Sequence, residues 1–366
     1  MKIEFIEVCE DVTKHATKIP QSEYLKEGKF PIFDQGKEYI GGYTNKTENV
    51  AVNNPYIVFG DHTRVLKYVD TKCFIGADGV KLLKVISNDF VAKYIYYSLK
   101  SKPIDSQGYA RHYKLLKEFT FIKRTKEEQQ KIIETLDKIN LAIDIKKKEI
   151  DSLNELIKSQ FIEMFGDPNT NDKKWDKGII NDIGTCIAGA TPSTKINEYW
   201  ENGTIPWMSS GEVHKERIYE TDTKITQLGY KNASTKLVPP HTVVLAMAGQ
   251  GKTRGTAAIA EIELCTNQSI CSIVNNEKVN PEFLLFFLKM QYLELRNASN
   301  GADGRGGLNL KIIGNYPIVI PPRELQDKFA HFVEQIDKSK FIVQKQIDDL
   351  QELLDSKMQE YFGEEE

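Results

Sequence analysis

The sequence predicts an α+β protein with a pseudo-twofold internal repeat, in which two mixed domains alternate with two long helices. Three observations carry this. Sliding the 366-residue chain by 197 positions superimposes two stretches of about forty residues without a gap. Both stretches carry apolar residues at heptad spacing, and each follows a large segment of short Val-, Ile-, Tyr- and Phe-rich runs broken by Gly, Asn, Asp and Pro.

Residues 1–125 form the first mixed domain. Tyr56 to Phe59 and Thr71 to Ile75 read as strands, and Phe90 to Leu99 as a short helix. Residues 126–166 form the first long helix, with neither Pro nor an internal Gly before the terminal Phe165-Gly166. Leu136, Ile143, Ile150, Ile157 and Met164 fall at one core position of its heptads, and Ile139 and Leu153 at the other. Gly166-Asp167-Pro168 then marks a boundary.

Residues 167–323 form the second mixed domain, with strands over Thr242 to Met247 and Ser269 to Val274 and a helical stretch over Pro281 to Leu295. Pro321-Pro322 closes it. Residues 324–366 form the second long helix and the acidic tail Glu364-Glu365-Glu366. Here Val333, Ile347, Leu354 and Tyr361 share one core position, and Ile336, Val343 and Leu350 the other. Under the 197-residue offset Gln129, Ile139, Ile150, Leu153, Phe165 and Gly166 meet Gln326, Ile336, Ile347, Leu350, Phe362 and Gly363. Matched seams of this length predict a mutually packed pair, each rod about 57 Å long for some 38 residues. Lys146, Gln160, Lys340 and Lys357 interrupt the seams, so the packing tolerates polar layers.

Composition narrows the function classes. A 40% hydrophobic content buries ordinary cores, and neither a signal-peptide core nor an apolar run of membrane-spanning length occurs, so a soluble cytoplasmic protein is expected. Cys9, Cys73, Cys186, Cys265 and Cys271 are scattered, form no C-x-x-C pair and are expected as buried reduced thiols. The formal charge of −3 divides as +5 over residues 1–125, −2 over 126–166, +1 over 167–323 and −7 over 324–366. Whole-chain charge gives no support for a polyanionic partner, although local Lys and Arg placement decides that binding.

Several motifs suggest enzymes and fall short. Ala246 to Thr253 fits a relaxed phosphate-loop pattern after a β-prone run, but the following Arg254-Gly255-Thr256 does not open a helix, which phosphate cradling requires. A turn offering Lys252 and Arg254 to phosphates fits better. Asn53-Asn54-Pro55-Tyr56 is one residue from an adenine-methylation motif, yet no strand and Gly-rich loop for a methyl donor precede it, and a turn into a strand is preferred. The loop Gly301 to Gly307 lacks a following Lys-Ser or Lys-Thr. The six histidines (His15, His62, His112, His214, His241, His331) show no ligand spacing, so no metal site is expected. No nucleophile set stands out, and no catalytic residue is assigned.

The order domain, helix, domain, helix, with the duplicated helix ending in Phe-Gly, resembles the specificity subunits of type I restriction-modification systems. Phe59-Gly60-Asp61-His62-Thr63-Arg64 with Gly76-Ala77-Asp78-Gly79-Val80 looks like a recurrent pattern of their recognition domains. Ile205 to Gly211 and Gly249-Gln250-Gly251-Lys252 are similar to another recognition-domain variety. Tyr113-Lys114-Leu115-Leu116 and Leu310-Lys311-Ile312-Ile313 lie before the two long helices at the same offset. The resemblance implies two target-recognition domains (1–125 and 167–323) separated by spacer helices (126–166 and 324–366) packed as an antiparallel coiled coil. It implies a non-catalytic chain that reads double-stranded DNA as a bipartite, asymmetric target. Two methyltransferase subunits, and through them restriction subunits, would dock on it; S-adenosylmethionine, ATP and magnesium would belong to those partners.

Candidate DNA-contacting residues in the first domain are Tyr43, Lys46, His62, Arg64, Arg111, His112 and Lys114, and in the second Ser209, Ser210, His214, Lys252, Arg254, Arg305, Asn309 and Lys311. The helix seam is expected to comprise Leu136, Ile139, Ile143, Ile150, Leu153, Ile157, Val333, Ile336, Val343, Ile347, Leu350 and Leu354. Two rival readings remain at this point: a nucleotide-dependent enzyme using Ala246 to Thr253, and a coiled-coil scaffold that never touches DNA.

Overall fold

A computed structural model describes residues 1–48, 50, 55–105, 108, 110–249, 251–298 and 307–363. Arg305, the Asn53-Asn54 pair, Gln250, most of the Gly301 to Gly307 loop and the tail Glu364 to Glu366 lie outside the described residues. The chain divides into two compact units, one of residues 1–148 with 343–366 and one of residues 149–342. Each unit therefore takes one mixed domain together with part of both long helices.

The first unit holds strands β1 (Lys2–Glu4), β2 (Cys9–Asp11), β3 (Lys18–Ile19), β4 (Phe30–Phe33), β5 (Gly42–Thr44), β6 (Tyr56–Gly60), β7 (Leu66–Val69), β8 (Phe74–Gly76), β9 (Val80–Val85) and β10 (Thr120–Ile122). They form a sheet of order β2-β9-β6-β7, a second of order β3-β8-β4-β5 and the pair β1-β10. The second unit holds β11 (Asp176–Ile179), β12 (Gly184–Ala188), β13 (Ile205–Met208), β14 (Arg217–Ile218), β15 (Thr223–Ile225), β16 (Leu237–Val238), β17 (Thr242–Ala246), β18 (Ala257–Ala260), β19 (Leu264–Thr266), β20 (Ile270–Asn275) and β21 (Pro317–Ile320). Its sheets run β12-β20-β17-β18-β14 and β15-β13-β19-β16, with the pair β11-β21.

The repeat reaches into the domain interiors, where sequence identity does not show it. β6 pairs antiparallel with β7 and β9, as β17 does with β18 and β20. β4 runs parallel to β8, as β13 does to β19. The second domain departs by adding β14 beside β18. β6 and β17 are buried at every position, which explains why apolar runs alone located them. The expected stretch over Pro281 to Leu295 is two helices, Pro281–Met290 and Tyr292–Ala298; Asn280 caps the first by accepting from Glu282 N.

Both long helices run 40 residues, Lys126–Phe165 and Arg323–Phe362. Thr125 and Glu128 form a capping box at the first: Glu128 Oε2 accepts from Thr125 N at 2.8 Å, and Thr125 Oγ1 accepts from Glu128 N at 3.2 Å. At the far ends Gly166 N donates to Ile162 O and Gly363 N to Gln359 O. Gly166 has φ +78°, the left-handed conformation that ends a helix without a Cβ penalty.

Of the seam, Leu136, Ile139, Ile143, Ile157, Val333, Val343, Ile347 and Leu354 are buried, and Ile150, Leu153, Ile336 and Leu350 half-buried. In the second unit Phe161, Phe165, Phe283 and Phe329 pack together, with ring centroids 4.8–5.6 Å apart. In the first unit Phe362 lies 5.2 Å from Tyr94, and Arg124 Nη2 donates to Tyr361 O at 3.1 Å. All five cysteines are free; four are buried, but Cys186 is only half-buried.

Candidate nucleic-acid interface

In the first unit the β6–β7 hairpin turn and the segment before the short helix Tyr113–Leu116 are distant in sequence but bonded in space. His112 N donates to Asp61 O at 2.9 Å, and Tyr113 N to Asp61 Oδ1 at 2.7 Å. His62 Nδ1 lies 3.2 Å from Ala110 O, and Arg64 Nη1 donates to Ile104 O at 2.9 Å. Arg64 sits at the turn with φ +63°, a conformation uncommon outside glycine, and its amide returns to Gly60 O at 2.7 Å. Two more turns join this end: Asp61 N donates to Gly79 O, and Thr63 Oγ1 to Gln35 O. Gly79 has φ +58°, and a Cβ there would meet the His62 ring and the Gln35 amide at 2.6 and 2.7 Å.

The second unit repeats the apposition with other residues. The β17–β18 connection, which contains Lys252 and Arg254, receives Leu308 N at Met247 O (3.1 Å), just before the short helix Leu310–Gly314. Tyr292 donates its hydroxyl to Lys252 O at 3.0 Å, and Arg296 Nη1 donates to Arg254 O at 3.0 Å. His214 Nε2 lies 3.1 Å from Thr253 Oγ1, bringing in the turn Ser210–Lys215. Tyr292 and Arg296 were missed from the sequence because they lie in a helical stretch that reads as core; only their spacing of four, one face of a helix, hints at a shared role.

The candidate residues divide by what their side chains do. Arg111, Lys114, Lys252 and Lys311 are exposed cations beside these turns. Lys46 is exposed but pairs with Glu23 at 2.6 Å, and Tyr43 lies on β5, its backbone exchanging two hydrogen bonds with Leu25; contacts other than those of the hairpin and pre-helix turns hold both. His112 is fully buried with Nδ1 2.9 Å from Asp61 O, so its place is beneath the surface, holding the turn. Ser209 O accepts from Glu212 N at 3.1 Å while its own N–H donates to Glu212 Oε1 at 2.8 Å, and Asn309 caps by accepting from Ile312 N at 2.9 Å. Ser210 is half-buried in the same turn as Ser209.

The phosphate-loop reading fails on geometry. After Thr253 the chain makes a turn and enters β18, so no helix N-terminus points amides at a phosphate. Gly249, Gly251 and Gly255 all have positive φ, which makes this connection a glycine-shaped turn of a β-hairpin. Among the described residues no helix is long and apolar enough to cross a membrane.

Comparison with known proteins agrees with this architecture. The family model of the type I restriction modification DNA specificity domain matches twice, over residues 2–155 and 172–352. The specificity subunit of the type I restriction enzyme EcoR124I/EcoR124II from Escherichia coli is 22% identical over 350 residues, covering 90% of this chain and 84% of that one. The MjaIX specificity subunit from Methanocaldococcus jannaschii is 33% identical over 172 residues, 45% of this chain and 38% of that protein. Among solved structures, the S subunit of a type I restriction-modification system from M. genitalium superimposes with a TM-score of 0.60 at 16% identity, covering 100% of this chain and 96% of that one. With the domain match falling on both halves of a duplicated α/β fold, the chain belongs to the type I restriction-modification DNA specificity family, whose task is recognition of a DNA target.

Proposed function

We propose that the chain reads a bipartite DNA target, one half-site per domain, without catalysing a reaction itself. The observation that carries this reading is the matched apposition of a hairpin turn and a pre-helix segment on two copies of one topology, with different residues at each. A shared scaffold fixes where the turns stand, and unlike turns imply unlike half-sites. Exposed Arg111, Lys114, Lys252 and Lys311 would fix register on phosphates while neighbouring polar groups meet base edges in the major groove. Two grooves on one side of B-DNA lie about 34 Å apart. A 40-residue helix is about 60 Å long, ample for an antiparallel coiled-coil spacer.

The long helices also carry apolar residues that stay exposed among the described residues. Ile145 and Leu156 on the first are 54% and 45% exposed, and Ile342 and Leu353 on the second 58% and 45%. The 197-residue offset maps Ile145 onto Ile342 and Leu156 onto Leu353. Such a duplicated pattern suits two copies of one protein partner. Methyltransferase subunits fit that role, with restriction subunits joining through them, and S-adenosylmethionine, ATP and magnesium would reside on those partners.

The test is the salt dependence of duplex binding by the assembled methyltransferase complex. Replacing Lys252 or Lys114 by Ala should weaken binding to all sequences and lower the slope of log K against log salt by about one each. A scaffold that never meets DNA would show wild-type slopes in both variants.

A further inference from the structure

The turn between β8 and β9 and the turn between β19 and β20 occupy one place in the two copies of the topology. Each carries the chain from one sheet of its domain to the other. Each is held to its hairpin turn by the same main-chain bond: Asp61 N donates to Gly79 O at 2.7 Å, and Met247 N to Ser269 O at 2.7 Å. Asp61 and Met247 are the residues that follow β6 and β17. Counted from these bonds, Asp78 and Gln268 stand at one position, and both are exposed between half-buried neighbours. The 197-residue offset does not pair them, so the topology alone shows that they correspond.

Turn closure accounts for the neighbours. Gly79 takes φ +58°, and in the second domain Asn267 Oδ1 accepts from Ser269 N at 3.0 Å. Asp before Gly suits a turn, but Gln is no turn former, so closing the turn does not select the residue at this position. Gln268 is oriented from the side instead: Thr191 Oγ1 donates to its Oε1 at 2.6 Å. That bond leaves the amide hydrogens and one lone pair of the oxygen for other partners.

We infer that Asp78 and Gln268 are specificity-determining residues, Asp78 for a cytosine in one half-site and Gln268 for an adenine in the other. The inference rests on the reading that these turns meet DNA. An ionised carboxylate offers acceptors only. In the major groove it takes the amino group of cytosine N4, whereas on adenine the N7 acceptor stands beside N6 and repels it. A primary amide presents a donor and an acceptor side by side, the complement of adenine N7 and N6. One scaffold position thus reads different bases through a carboxylate in one domain and an amide in the other.

The test exchanges acid and amide at constant shape. Asp78→Asn and Gln268→Glu, each in the full chain assembled with its methyltransferase, are taken through selection from random duplexes beside the wild type. The wild type should enrich a C·G pair at one position of one block and an A·T pair at one position of the other. Asp78→Asn should turn the first into A·T and Gln268→Glu the second into C·G, each preference reversing by at least about fivefold with the other block unchanged. Alanine at either position should erase the preference there. Both side chains are exposed, so all four variants should melt like the wild type. Wild-type blocks in either exchange variant, or uniformly weaker binding without a change of base, would overturn the inference and leave the bipartite reading standing. Failure of the wild type to enrich any sequence would overturn both.

Discussion

Gln129 and Gln326 occupy the same place in the two copies of the repeat, and both are fully buried. Gln129 Oε1 accepts from Val91 N, and its Nε2 donates to Asp89 O and Arg124 O; Gln326 Oε1 accepts from Asn280 N, and its Nε2 donates to Lys278 O and Pro321 O. Each amide ties the start of a domain helix to the start of a long helix. Gln129→Leu or Gln326→Leu leaves buried backbone groups without partners and should cost about 3 kcal/mol. Denaturant titration checks this, and a loss under about 0.5 kcal/mol would contradict the clamp. Thiol chemistry is a second readout at this scale. Burial pushes Cys9 and Cys73 up to about 12 and Cys265 to about 11, whereas a hydrogen bond from Cys271 lowers the half-buried Cys186. Ellman's reagent should therefore modify Cys186 first in the folded chain, and modification of Cys9, Cys73 or Cys265 before unfolding would contradict this.

The elements were legible in proportion to how far their chemistry is local. The two long helices were readable because their seams, caps and glycine ends follow from periodicity and backbone conformation within one stretch. The strands Tyr56–Gly60 and Thr242–Ala246 were readable because burial on both faces leaves apolar runs. The apposition of the turn at Asp61 with His112, or of Lys252 with Tyr292, was not, since it joins residues about 40 to 50 positions apart and its acceptor is in each case a backbone carbonyl that any sequence supplies. For the same reason His112 and Asn309 read as surface groups, although burial occupies the first and capping the second. On the helices, exposure of Ile145 and Ile342 has no role in folding, so Ile145→Glu with Ile342→Glu should leave the melting temperature within a degree or two. Co-purification of a methyltransferase partner should be lost in that variant, and retention at wild-type stoichiometry would contradict the duplicated docking positions.

At the scale of the whole molecule the repeat separates what is fixed from what varies. The glutamine clamps, the seams and the glycine ends of the long helices recur at the 197-residue offset, while the residues on the turns do not. Under the proposed function, each domain would read its own half-site, and target asymmetry would follow from the divergence of the two copies. Selection from random DNA duplexes by the complex of this chain with its methyltransferase tests this most directly, run with the wild type and with a variant in which Lys252, Arg254 and Arg296 are replaced by alanine. The account predicts enrichment of two short unlike blocks separated by unread base pairs, with only one block relaxed in the variant. A single contiguous block, no enrichment, or both blocks changing together would contradict it.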